Sequence, residues 1–177
     1  MNVYTVQVTV DGGYYTAQAE DALTMYDTSL GFTTGGGWFY WPGTANPETG
    51  YPGDKTNFGY TMSYNKKGTN VKGNLLVIRH LADGTIYRVK SNAQDGLALG
   101  SGTGFAWASY TGKATYLEPG WDDAVGNHQF TVYAGDSDTG VDRFWLNTLG
   151  KDGTDVALSL SETTTATPTG PTAWPAG

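Results

Sequence analysis

Residues 57–80, NFGYTMSYNKKGTNVKGNLLVIRH, admit few structures. Phe58, Tyr60, Met62 and Tyr64 alternate with Asn57, Gly59, Thr61 and Ser63, the period-2 pattern of a strand that buries one face. Asn65-Lys66-Lys67-Gly68 then supplies turn chemistry, because glycine takes positive φ without steric cost. Residues 75–78 (LLVI) are a short apolar run rich in branched side chains, which reads as a core strand. The simplest structure is a buried β-hairpin, or two strands joined across a slightly longer loop. Nothing in the stretch is catalytic chemistry. It specifies a scaffold.

The rest of the chain repeats the pattern. Tyr4, Val6, Val8 and Val10 alternate with Thr5, Gln7 and Thr9, Asp11-Gly12-Gly13 signals a turn, and residues 14–26 carry a second extended run. Two strands alone do not bury a face in water, so this N-terminal β-hairpin is expected to pack against a sheet or a partner. Residues 31–41 (GFTTGGGWFYW) set three glycines beside bulky aromatics, and 44–54 is a polar loop. Asp83-Gly84 turns the chain into a strand at 86–90. Residues 94–104 hold four glycines and read as a loop, while 105–116, 127–134, 141–147 and 156–160 read as strands. From Thr163 the composition collapses to Thr, Pro, Ala and Gly, a linker-like tail. The expectation is an all-β, antiparallel β-sandwich or jelly-roll-like fold of roughly nine or ten short strands. Its divisions are a hairpin at 1–28, a β-sandwich domain at 29–162 and a tail at 163–177. Strand order does not follow from the pattern.

Composition narrows the function classes. The net charge of −7 leaves no basic patch to replace the counterions around phosphate, which argues against nucleic acid and against electrostatic binding to a membrane surface. No apolar run approaches the ~20 residues that span a bilayer as a helix. The absence of cysteine excludes disulfides and thiol chemistry. Asn2 leads straight into strand pattern, with no signal-peptide pattern at Met1.

Five blocks carry a resemblance: GFTTGGGW, NFGYTMSYNKKG, FAWASYTGKATY, GNHQFTVYAGD and GVDRFWL. In this order, over about residues 30–160, they resemble the post-COAP family of bacterial extracellular modules, which commonly follow a PKD-type immunoglobulin-like repeat. The run from Tyr4 to Asp27 looks like the last two strands of such a repeat. The resemblance implies a secreted or cell-surface location and a non-catalytic accessory role, and it brings no defined ligand.

The reactive side chains point the same way. His80 and His128 are the only ordinary general bases near neutral pH, and both sit at strand ends. There is no GxSxG elbow, HExxH or phosphate loop, and the acids fall mostly in turn contexts, so the chain reads as a non-enzyme.

Two signals point to ligands. Asp136, Asp138 and Asp142 alternate within a Gly-containing turn, a spacing that resembles oxygen ligands around calcium, set against a solvated acidic turn. Trp38, Tyr40, Trp41, Tyr51, Trp107, Trp121 and Trp145 exceed what a sandwich core of this size obviously requires. Trp121 lies in a polar Pro-Gly-Trp-Asp-Asp loop, and Tyr40 and Trp41 precede Pro42. These three rings are candidate platforms for polysaccharide, with Asp122 and Asp123 as hydrogen-bond partners for sugar hydroxyls. Three roles remain: an adhesion or spacer domain beside neighbouring domains of a longer chain, a carbohydrate-binding module of a secreted glycan-degrading enzyme, and a subunit that self-associates by strand addition through its hairpin.

Overall fold

Side-chain alternation and turn chemistry set nine strands in the computed structural model, which describes residues 2–11, 16–25, 31–44, 53–65, 68–140 and 142–160. They are β1 (Asn2–Asp11), β2 (Thr16–Met25), β3 (Phe32–Tyr40), β4 (Lys55–Tyr64), β5 (Val71–His80), β6 (Ile86–Gly102), β7 (Phe105–Leu117), β8 (Val125–Ser137) and β9 (Arg143–Leu149). β1 and β2 pair as a two-stranded ribbon, and β3 to β9 form a seven-stranded sheet in chain order. All pairings are antiparallel, so the fold is all-β and sandwich-like, with an N-terminal hairpin. The tail at 163–177 and Tyr51 lie outside the described residues.

The hairpin expected over 57–80 forms as β4 and β5, with Phe58 opposite Val77 and Tyr60 opposite Leu75. Its turn is closed by Asn65, whose side chain accepts from the Thr69 amide at 3.0 Å and whose carbonyl accepts from the Gly68 amide at 2.8 Å. Gly73 has φ of 153°, and a Cβ there would lie 1.9 Å from the Thr61 carbonyl oxygen, so only glycine lets the two backbones approach.

Residues 94–102 are strand, not loop, and only Thr103 and Gly104 form a turn. Their glycines sit opposite large or branched partners: Gly96 faces Thr111 and Gly100 faces Trp107. A Cβ on Gly100 would lie 2.4 Å from the Trp107 ring, so the missing side chain makes room for the indole. Residues 156–160 behave in the opposite way. A single bridge, Leu149 to Asp155, starts them along β9, and Leu158 and Leu160 are buried without forming a strand.

The large sheet is curled. Bulges in β6 between Ser91 and Ala93 and between Gln94 and Gly96 bend it, as does an irregularity in β7 between Ala114 and Tyr116. The concave face holds the main core, including Met62, Leu75, Val77, Val89, Tyr110, Phe130 and Leu146. The curl brings Phe144 of β9 onto Phe58 of β4, stacked with ring centroids 4.0 Å apart. On the convex face, Leu76 and Ile78 form a separate buried cluster. The β1–β2 ribbon contacts β4 and β5, which are interior strands, so it covers this convex face rather than extending an edge.

Arg79 closes one end of the curl. Its Nε and Nη2 lie 2.8 and 2.7 Å from Asp54 Oδ2, and Nη1 donates to the Ala157 carbonyl at 3.3 Å. Its guanidinium carbon is 4.9 Å from the Trp41 ring centre and 5.2 Å from that of Tyr87. One cation thus joins the end of β3, the start of β4, β5, β6 and the C-terminal segment. Both charged side chains are only 14% and 12% exposed, so removing one partner strands the other. Asp54→Ala is expected to cost about 3 kcal/mol or more in urea denaturation, and the apolar double variant Asp54→Leu/Arg79→Met to recover much of that. A loss below about 1 kcal/mol for Asp54→Ala would mean that the pair behaves as a surface ion pair.

Candidate functional site

Trp41 and Tyr40 are neighbours on the chain and therefore point to opposite sides of the sheet. Trp41 is 4% exposed, stacked on Phe39 at 6.0 Å and covered by Arg79. It is a core residue and presents no face to a sugar. Tyr40 is 45% exposed, and Trp38, two residues earlier on the same face, is 57% exposed. Their rings meet edge to face, 5.4 Å apart at 73°, and Lys55 Nζ stands 5.3 Å from the Trp38 ring centre. These rings form a corner on the convex side of β3. The Trp-x-Tyr spacing on one strand is the signal for Trp38, and it becomes legible only once the inward face is known.

Trp121 lies in the turn between β7 and β8, 41% exposed, with Asp122 and Asp123 exposed beside it. Its amide donates to the Glu118 carbonyl at 3.1 Å, and its ring meets Tyr116 edge to face at 5.8 Å. Tyr40 and Trp121 therefore stand at the same end of the sheet on strands that are not neighbours, each with a different aromatic partner. Of the other rings, Trp145 is buried against Tyr133, and Trp107 is half-buried over Gly100.

The acidic turn lies at the opposite end. The Asp142 carboxylate accepts from the Ser137 amide at 3.2 Å, Gly140 donates to Ser137 Oγ at 2.9 Å, and Asp138 donates from its amide to the Gly104 carbonyl at 3.1 Å. Asp136 belongs to β8 and points to the concave face, because it shares a pair with Ala106. Among the described residues, no group of three or more His, Cys, Asp or Glu side chains gathers to hold a metal ion.

Beside this turn the curled sheet opens into a cleft of about 520 Å³, lined by Thr33, Tyr60, Leu99, Ser101, Ala106 and Asp136 among others. Burial raises the Tyr60 phenol to about 12, against a hydrogen bond with Thr33, and the charges of Asp142 and Asp136 push it further up.

His128 is 6% exposed. Its Nδ1 lies 3.2 Å from the Leu149 carbonyl oxygen, and its ring is 5.1 Å from that of Tyr116. Desolvation pushes its pKa down, and the Leu149 carbonyl partly opposes this. His80 is half-buried at the end of β5. No family model, curated protein or solved structure matches the chain.

Two measurements follow from this geometry. The unfolded chain protonates at His128 before the folded one does. Stability is therefore held above the unfolded histidine value of about 6.5 and lost as pH falls through it. Chemical denaturation between about pH 7.5 and 5.5 (about one unit on either side of that value) should show this loss, and His128→Gln should flatten it. An unchanged slope would place the acid sensitivity elsewhere. Separately, melting curves in millimolar calcium and in EDTA test whether Asp136, Asp138 and Asp142 hold calcium, as their spacing suggests, and superimposed curves would leave a solvated acidic turn. A calcium-dependent rise would make the turn a metal site.

Proposed function

We propose that this chain is a non-catalytic accessory module of a larger secreted or cell-surface bacterial protein, and that it adheres weakly to polysaccharide. The observation that carries this reading is the Trp38–Tyr40 corner. The scaffold has its aromatic core without these rings, yet it holds both at a strand where they cost little conformational entropy on binding. Sugar rings present C–H faces that pack on such surfaces, and Lys55 offers a hydrogen-bond donor beside them. Rings set at 73° cannot lie together on one flat surface, so a single flexible glycan chain suits them better than a crystalline face. The shallow site buries little ligand area, and the affinity is expected to be weak. The resemblance to extracellular accessory modules supports the location and the role.

A second reading has its own observation. Val6 and Val8 of the ribbon are 38% and 56% exposed, an apolar strip of the kind that supports self-association through strand addition.

Affinity electrophoresis through neutral soluble glycans, with pull-down on insoluble ones, tests the primary reading. At least one soluble glycan should retard the protein. Trp38→Ala should weaken that retardation about tenfold, as expected for truncating a dominant aromatic contact. Equal retardation of Trp38→Ala and loss in Trp121→Ala would move the site to the β7–β8 turn. If no glycan retards the native chain, the spacer role stands instead.

A further inference from the structure

The cleft at the acidic end owes its volume to three alanines. Cross-strand pairing sets concave residues in rows. The row Leu97, Tyr110, Val132 and Leu146 is fully packed. One pair further toward the opening the row becomes Leu99, Ala108, Ala134 and Phe144, and the next is Ser101, Ala106 and Asp136. Alanines replace the larger side chains of the packed row, and the space they leave is the cleft of about 520 Å³, within the ~300–1,000 Å³ usual for small-ligand sites.

Its chemistry is one-sided. Leu99, 42% exposed, and the alanines make an aliphatic wall. The polar groups around it are the Asp136 carboxylate, the hydroxyls of Thr33, Thr34, Ser101 and Tyr60, and the Trp107 indole, and Asp136 is the one charged side chain among them. The Tyr60 hydroxyl lies over Gly35, where a Cβ would come within 2.5 Å of it, so glycine holds the wall back. Among the described residues, no Lys or Arg lines the cleft. Arg143, at the start of β9, pairs with Gly135 and so stands on the opposite face from Asp136. The charges of Asp136 and Asp142 both reach the Tyr60 phenol, so the field at the floor is negative.

We propose that this cleft binds a primary ammonium group carried on an aliphatic stem, with Asp136 as its counter-charge and Leu99, Ala106 and Ala134 along the stem. An anionic ligand meets an acidic rim in a chain of net charge −7 and is excluded. A neutral apolar ligand draws nothing from the Asp136 carboxylate, which is exposed at the rim. Free diamines and lysine side chains share the required chemistry. The site is separate from the Trp38–Tyr40 corner, which stands on the convex side of β3.

The test is a backbone-amide NMR titration of the whole chain with 1,5-diaminopentane and, in a second arm, Nα-acetyl-lysine methylamide. Saturable shifts at the amides of Ala106, Ala134 and Asp136 are expected, and raised salt should weaken them. The tighter arm identifies the source, a free diamine or a lysine side chain. Asp136→Asn should raise Kd at least tenfold, and Ala106→Trp should block binding by filling the cleft from an exposed position. The melting temperature of each variant confirms folding. Trp38→Ala should bind the amine as the native chain does, which separates this site from the glycan surface. The proposal is overturned if the Nε-acetylated lysine derivative shifts the same amides equally, if Asp136→Asn binds unchanged, or if neither amine produces saturable shifts.

Discussion

The contact between Phe58 and Phe144 decides the shape of the molecule. These rings belong to strands with four others between them in hydrogen-bonding order, yet their centroids are 4.0 Å apart. A flat seven-stranded sheet cannot bring them together, so the stack is the mark of the curl. Such a pair contributes about 0.5–1.5 kcal/mol beyond the area it buries. Its larger consequence is geometric, because it sets the edges β3 and β9 facing each other. Phe39 of β3 then reaches Phe144 at 6.2 Å, the C-terminal segment runs beside the outer edge of β9, and Arg79 reaches across to that segment's Ala157 carbonyl. An exposed sheet edge invites pairing with other chains, and part of the β9 edge is shielded in this way.

Much of the scaffold was legible because strands repeat every two residues and the core obeys that period. The β4–β5 hairpin could be read from 57–80 down to its apolar face. The neighbour order was not legible, because alternation fixes which way a side chain points but not which strand lies beside it. The glycines at 96 and 100 misread as loop for a related reason. Their role as clearance for Thr111 and Trp107 appears only when β6 and β7 are paired. Tyr40 and Trp41 show the limit for the site. Adjacent residues at a strand end must take opposite faces, but the sequence does not say which face the curl encloses. Trp41 is therefore core, and Trp38 takes its place beside Tyr40. The acidic spacing at 136–142 was visible, whereas the hollow beside it depends on alanines from two strands meeting in one row.

The two faces of the sheet are stabilised differently. The concave face is apolar and aromatic. The convex face of β4 is a stripe of Asn57, Gly59, Thr61 and Ser63, buried beneath the ribbon, and the Thr61 and Ser63 hydroxyls have no hydrogen-bond partner among the described residues. Burying hydroxyls in this way offsets part of what Leu76 and Ile78 contribute. Residues 5–9 of the ribbon are exposed, and the ribbon is the element expected to open first. The ligand-facing features avoid it. Both the Trp38–Tyr40 corner and the acidic cleft are built on strands of the large sheet, the corner on its β3 edge and the cleft mostly on the interior strands β6 to β8.

The most direct test of this account is the proximity of Phe58 and Phe144 in solution. Selective ring labelling and nuclear Overhauser spectroscopy should give strong cross-peaks between the two ring systems, with weaker ones from Phe39 to Phe144. Strong peaks would establish that the sheet closes on itself as described. Their absence, in a protein whose β3-to-β9 ladder is otherwise intact, would mean an open sheet, and the cleft and the shared Arg79 contacts would go with it.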